Sequence, residues 1–547
     1  MSGTWPPAAG AFLSGVLFHQ MAFRHGEWHL YGLDILGSYL ASTTILLLLP
    51  KYVLSPGVEA DFITPFAVLR IVTYHLAGVF TSTLVYRAFF HRLGQFPGPF
   101  AGRLSGAHKV YLARNLRQYQ EVRSLHRQYG DVVRVGPSEL SLANPAAIKK
   151  VHWPQATPRK SPSYDQQLPR VSLETTRDTQ QHSQLRKVWD RAFNTRALRD
   201  YSSRVQKHAA RLSDVFDSSL NQSIDIGRWI NYYSFDVMGD LVFGKSFNML
   251  IDKRDNYLLS IMHKHMGTFA RIGYLTWGLP LLVRIPILNR PNVRFWKFVN
   301  DQVSWRIKVG PSALHGYHIL SNNGFGDRIH TKEGMMDLEA EAQLVILAGS
   351  DTTSSALTNA IFELLNHPDQ IEKLRAECEQ QINNSMSDIA PEDLASLPHL
   401  NAVINETLRL HPPVISGVQR QVTSTGLQVA EKFIPSDTII QIPFYTVFRD
   451  ERCFQQPDSF IPERWTEKPE LTIDSSVFVP FNHGTHACVG KQLALMELRW
   501  VLTMVVTQYD LEFAPEHDNK TFLDGTVDGF TAVCAPLYVR LAKREKD

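Results

Sequence analysis

The stretch Phe481 to Gly490, FNHGTHACVG, constrains this chain more than any other, because it fixes a cysteine in a turn at the entrance to a helix. The residues that follow, KQLALMELRW, repeat apolar side chains at helical spacing. The Cys488 thiol therefore precedes a helix whose first N–H groups point at it and favour its anionic form. A thiolate there is an iron ligand. Gly484 and Gly490 let the backbone turn sharply and let a flat macrocycle lie close to it, Phe481 offers an apolar surface beside the sulfur, and His486 adds a donor. A lone cysteine in a turn usually only packs. The spacing of the whole loop reverses that preference.

F-x-x-G-x-H-x-C-x-G followed by K-Q-L-A resembles the haem-binding loop of the cytochrome P450 family of haem-thiolate monooxygenases. The resemblance implies haem b as cofactor, with Cys488 as axial ligand to its iron and Phe481, Gly484, His486 and Gly490 around it. His486 stands where most members carry arginine, and its charge depends on pH.

Three further stretches gain meaning beside that loop. DLEAEAQLVILAGSDTTSSALTNAIFELLNHP reads as a long helix interrupted at Ala348-Gly349 and then by Asp351-Thr352, since mid-helix Gly, Ser and Thr weaken the regular ladder. In isolation such a run only caps or bends a helix. Here it resembles the family's oxygen-activation motif, which implies that Asp351 feeds protons and Thr352 orients them. NETLRLHPP sets Glu406 and Arg409 one turn apart, and FIPERW supplies Arg464, a triad that persists in a core only when fully paired. By resemblance the triad locks the cysteine loop. HSQLRKVWDRAF places His182 and Arg186 on one helix face as an anion site, with Trp189 left to the core. The resemblance implies that His182 and Arg186 hold a haem propionate, histidine replacing the family's tryptophan, and that Arg420 makes another propionate contact. It also implies that Val414 to Val418, Phe530 and Thr531 edge the substrate pocket. FDVMGDLVFGKSF reads as packing.

The amino-terminal hundred residues hold three apolar stretches, roughly Ala11 to Phe23, Tyr31 to Leu54 and Phe62 to Phe90. The second is the strongest by composition, and the third is long enough to cross a bilayer core of about 30 Å, which takes about 20 residues. Asp34, Arg70 and His75 count against simple spans. Arg24 follows the first stretch, and Arg87 and Arg92 follow the third, so three crossings place both groups in the cytosol and start the chain in the lumen. Two crossings, or a buried helical hairpin of a soluble domain, are the alternatives. FPGPFAGRL, from Phe96 to Leu104, is a stiff proline-rich hinge. The expected organisation is a membrane anchor over 1–95, of two or three transmembrane helices near 10–23, 31–54 and 66–90, followed by a haem-thiolate catalytic domain over 96–547. That domain reads as mainly α with small β-sheets, which the resemblance makes the cytochrome P450 fold. Its strands are expected in DVVRVGPSELSLA, around a turn at Gly136-Pro137. Two aromatic-rich helical stretches from Ile261 to Trp305 are expected to be joined by a loop, TWGLPLLVRIPILNRP, whose exposed apolar content suits a membrane surface.

A net charge of +3 and the lack of any Lys/Arg run argue against nucleic acid as a partner. Cys378, Cys453, Cys488 and Cys534 lack C-x-x-C spacing, which argues against a disulfide framework or a zinc site and fits a reducing compartment. No flavin or nicotinamide domain fits after the haem loop. Electrons are therefore expected from NADPH through a separate flavoprotein reductase, with Lys187, Arg191, Lys491 and Arg499 either its docking patch or an ordinary solvated face. The expected reaction inserts one oxygen atom from O2 into a lipophilic substrate, typically as a hydroxylation. The chain resembles fungal endoplasmic-reticulum enzymes of secondary metabolite biosynthesis whose catalytic domain faces the cytosol. A haem-thiolate isomerase or dehydratase and a non-catalytic membrane haem binder are the rival readings, and Asp351-Thr352 disfavours both.

Overall fold

The computed structural model describes residues 7–53, 64–153, 157–254, 266–268, 270–309, 330–381 and 389–544. The body is built around the helix Lys332–Asn366, which is buried along most of its length. A helix that is apolar on all sides needs neighbours on all sides, and this one packs against Ile226–Phe243, Pro286–Val309, Pro398–Leu410 and Lys491–Gln508. Thr331 caps its start by accepting from the Gly334 N–H. The expected interruption at Ala348-Gly349 does not occur. Gly349 is instead the place where Ile226–Phe243 comes close, since a Cβ there would lie 2.6 Å from Met238 Sδ.

The expected hairpin is present as strands Val132–Gly136 and Glu139–Leu142. Glu139–Leu142 pairs in parallel with Ile439–Gln441, which pairs antiparallel with Gln419–Gln421, and Arg159–Lys160 closes the edge. In that last pairing Lys160 lies opposite Arg420 and Arg159 opposite Gln421. Opposed residues share a face, so the two cations are brought together on one face and Gln421 turns to the other.

The joining segment expected as a loop is mostly helical, being the short helix Gly278–Val283 and the start of Pro286–Val309. Pro286 begins that helix, where a fixed φ and a missing N–H cost nothing. Trp277, Ile287 and Leu288 stay exposed. Residues 261–265 of the preceding stretch lie outside the described residues.

At the amino terminus the first helix, Pro7–Phe18, runs on into a π-helical turn, His19–Phe23; the second is Gly32–Val53; the third, Pro65–Val85, ends in another π-turn, Tyr86–Phe90. Among the described residues, the third helix, Pro65–Phe90, is long and apolar enough to cross a membrane, and the second contributes the apolar run Gly32–Leu48. The first and third run parallel with their backbones touching. A Cβ on Gly15 would lie 2.0 Å from the His75 carbonyl oxygen, and one on Gly78 2.1 Å from that of Phe12. Further along, His19 Nδ1 meets Ser82 Oγ at 2.8 Å, and Arg24 lies over the Tyr86 ring. His75 bonds Ser14 of the first helix at 2.9 Å and Tyr39 of the second at 3.1 Å. The polar residue that counts against a simple span is thus satisfied inside the bundle. Because the first and third helices are parallel, the turn after the first lies at the same end as the catalytic body.

Candidate active site

The loop around Cys488 is a closed turn. The Cys488 N–H donates to the Phe481 carbonyl at 2.7 Å and the Ala487 N–H to that of Gly484 at 3.0 Å. Gly484 adopts φ +67°, which glycine takes without strain. Gly490 has an ordinary φ of −82° as N-cap of Lys491–Gln508. A Cβ there would sit 3.9 Å from Cys488 Sγ, an ordinary contact distance. On balance the Cys488 thiol is pushed up, by burial, against the pull of the Gly490 N–H, the charge of Arg186 and the Lys491 N–H, so the helix start alone does not make it anionic as its position leads one to expect. Cys378 and Cys453 are buried and Cys534 is half-buried, whereas Cys488 has an exposed face. Deep enclosure and an open face are compatible where a sulfur lines a cleft. Lys491 lies over the Phe481 ring at 5.8 Å.

Beside the loop stands a group of basic residues, two of them cations, Lys160 and Arg420, and two of them neutral histidines, His182 and His486. His182, on the helix Thr179–Ala192, meets His486 of the loop, Nε2 to Nδ1, at 3.2 Å. Lys160 and Arg420 face the same place from their paired strands, and their charges act on both histidines. Burial, then Lys160, Arg186 and Arg420, lowers His182 to about 4; burial, then Arg420 and Lys160, lowers His486 to about 2. Lys160 itself is lowered to about 7 by burial and by Arg420, against the pull of Glu174 and Glu341. Its Nζ donates to the Leu173 carbonyl at 2.6 Å, and Arg420 Nη1 to its neighbour Gln419 at 2.9 Å. Arg420 Nε and His182 Nδ1 are buried without a hydrogen-bond partner. Like charges gathered out of water with donors unfilled call for an anion. The two carboxylates of haem fit that demand, and a neighbouring thiolate fits its iron. Arg186 is placed differently, donating to the Ala487 carbonyl at 2.5 Å and pairing with Asp190 at 2.8 Å, so that it ties its helix to the cysteine loop.

Glu406, Arg409 and Arg464 come together with no exposure of any of the three side chains. Arg409 engages Glu406 through two prongs, Nε at 2.9 Å and Nη2 at 2.8 Å, and Arg464 Nε donates to it at 2.9 Å. The Ile461 N–H and Trp465 Nε1 fill the rest of the carboxylate. The spare guanidinium donors go to the carbonyls of Phe448, Pro457, Ser459, Gln455, Leu471 and Gln456.

On Lys332–Asn366, Asp351 is buried. Thr352 donates its hydroxyl to the Ala348 carbonyl at 2.5 Å. Positions 344, 347, 348 and 352 fall on one stripe, with Ala348 exposed and the other three half-buried, in a helix whose middle is otherwise buried but for Gly349. Leu344, Leu347, Ala348 and Thr352 thus offer a mostly apolar wall with one hydroxyl. Phe530, at φ +85° between strands Val527–Gly529 and Thr531–Val533, is exposed, and the buried Thr531 hydroxyl has no hydrogen-bond partner. Trp189 is buried and donates to Glu341 at 3.0 Å. Of the four basic residues considered for docking, Lys187, Arg191 and Lys491 are exposed, while Arg499 is half-buried on Asn401.

A family model described as cytochrome P450 matches residues 96–539. Similar proteins include "Cytochrome P450 monooxygenase FCK2" of Fusarium pseudograminearum, 39% identical with 97% of each chain covered. "Cytochrome P450 monooxygenase phqL" of Penicillium fellutanum is 35% identical, with 98% of this chain and 94% of that protein covered. "Tryprostatin B 6-hydroxylase" of Neosartorya fischeri is 36% identical, with 98% of each covered. A chain that matches such relatives nearly end to end, and that exposes a cysteine beside the buried cations Lys160 and Arg420, belongs to the cytochrome P450 family, the haem monooxygenases that draw electrons from NADPH through a redox partner and act on small molecules.

Proposed function

We propose that this chain hydroxylates a lipophilic small molecule in fungal secondary metabolism, using O2 and a haem held by Cys488. The observation that carries the reading is the buried pair of cations, Lys160 and Arg420, with Arg420 Nε and His182 Nδ1 left without partners among the described residues, beside the one cysteine with an open face. Haem b bound there supplies reductive activation of O2 and transfer of one oxygen atom to substrate. Lys160, Arg420 and the two histidines hold its propionates, and Phe481, Gly484 and Gly490 shape the floor around the sulfur. N–H groups of Gly490 and Lys491 stabilise negative charge on Cys488. Asp351 supplies protons to the reacting oxygen, and the Thr352 hydroxyl, held by the Ala348 carbonyl, orients them. The Glu406 network keeps the loop in place from behind.

The partly open stripe of Leu344, Leu347 and Ala348 favours an apolar substrate. Residues 1–95 form a membrane anchor and 96–547 the catalytic domain. The parallel first and third helices support three crossings over two, with the amino terminus opposite the catalytic body. In the endoplasmic reticulum that places the body in the cytosol, where a membrane-bound flavoprotein reductase docks on the cysteine side through Lys187, Arg191 and Lys491.

The test compares metabolites of a fungal host with and without the expressed chain. The purified protein, with reductase, is then given the compound that disappears. The expected result is NADPH-dependent product carrying one atom from labelled O2. Conversion without NADPH use, or without label, would overturn the reading in favour of an isomerase or dehydratase.

A further inference from the structure

The turn between the first two helices touches the catalytic body far from it in sequence. Arg177 clasps Glu27 with both prongs, Nη1 at 2.9 Å and Nη2 at 2.8 Å, and also pairs with Asp165 at 2.5 Å. His29 Nε2 reaches the same Asp165 at 2.9 Å. Gln421 Nε2 donates to Glu27 at 3.0 Å, and Gln421 Oε1 accepts from Arg177 at 2.9 Å. Arg177 Nε also reaches the Lys160 carbonyl at 3.3 Å. Glu27, His29 and Asp165 stand close enough to one another to hold a metal ion. The Arg177 guanidinium already supplies the positive charge among them, so the cluster is complete within the chain. Arg177 holds the Glu27 carboxyl at about 2, against the opposing effect of burial.

What this network grips is the strand pair Arg159–Lys160 and Gln419–Gln421. Gln421 and Arg159 lie opposite each other, bonded at 3.1 Å, on the face that the anchor touches. One step along each strand, Lys160 and Arg420 lie on the other face, in the cation group. The anchor has a second attachment at its far end, where Arg134 Nη2 donates to the Arg87 carbonyl at 3.2 Å. Two attachments on different sheet strands fix an orientation where a single hinge would allow swinging.

We infer that Glu27 is a positioning residue for the cofactor, a clamp through which the membrane anchor sets the strand pair that presents Lys160 and Arg420 to the haem propionates. The inference extends the haem reading above, and the anchor becomes part of the haem site as well as its tether. Glu27 acts through Arg177 and Gln421, and no contact with haem is required of it.

The test uses full-length holoenzyme in membranes or nanodiscs. Two readouts are taken: the propionate bending bands in the resonance Raman spectrum, and the rate of haem loss to an excess of a haem-free globin. Glu27→Gln is expected to shift the propionate bands and speed haem loss about tenfold, the size of one lost charge-assisted bond. Glu27→Asp should lie between it and wild type. Propionate bands and haem loss in Glu27→Gln equal to wild type overturn the clamp. Faster haem loss with unmoved propionate bands also overturns it, because general loosening of the body would do that. Absence of haem bands from wild type would instead overturn the haem reading, so the two failures are distinct.

Discussion

Two buried charge clusters, the Glu406 knot and the basic group beside the cysteine loop, differ in whether the chain finishes them. In the Glu406 knot each guanidinium prong finds a carboxylate or a carbonyl, and the carboxylate oxygens are filled by Arg409, Arg464, Trp465 and the Ile461 N–H. In the group of Lys160, His182, Arg420 and His486 the two cations, Lys160 and Arg420, repel each other and hold the histidines neutral, and two buried nitrogens lack partners among the described residues. A closed network stabilises the fold by itself, whereas an open one of a single sign stores a demand for a ligand. The chemistry of the residues is alike; their bookkeeping separates scaffold from site.

Haem retention gives a common scale on which to break that comparison. The largest effect is expected from Glu406→Ala, which leaves two guanidinium groups buried without their carboxylate and costs on the order of 3–5 kcal/mol. Purified protein should show little folded, haem-loaded material, and a normal haem-to-protein ratio would remove the knot from the account. Arg420→Leu should weaken haem retention about 10- to 100-fold, the size of a lost charge-assisted contact. The melting temperature of the haem-free chain should hold or rise, because a like charge has gone. A parallel fall in both would make the cation group a second scaffold.

Asp351→Asn should leave haem content at the wild-type level and slow product formation about 10²-fold or more, as expected when a proton donor is lost. Lost haem would place Asp351 with the knot instead. The smallest effect is one of pH on the haem-free chain. His182 is held at about 4, below its ordinary 6.5, so folding needs it neutral. Its contribution is complete above about 6.5 and is lost progressively as pH falls toward 4, where the unfolded chain takes a proton that the folded chain refuses. Urea unfolding at stepped pH should show this slope for wild type and a smaller one for His182→Phe.

Much of this was legible along the chain because several key groups sit at fixed short spacings. The cysteine loop and its helix, Glu406 with Arg409, and the hairpin about Gly136-Pro137 are each local, so periodicity and turn chemistry reach them. Lys160 escaped because its strand has two residues and its partner Arg420 is 260 positions on; only register brings them together. Glu27 escaped for the same reason, its partner Arg177 being 150 residues away. Gly349 was legible as a special position but not as what it is. A glycine in a helix weakens the ladder in isolation, and the approach of Met238 that favours it is tertiary. Gly15 and Gly78 carried a readable signal, being small residues within apolar helices, where close packing is the usual reason for glycine.

The central claim is that Cys488 sulfur binds haem iron, and the reduced, CO-bound absorption spectrum of Cys488→Ser beside wild type tests it most directly. Wild type should give the thiolate-ligated Soret band. Cys488→Ser should lose that band and its NADPH-driven turnover even where some haem remains in the cleft. A Cys488→Ser protein with the wild-type band and full turnover would contradict the account.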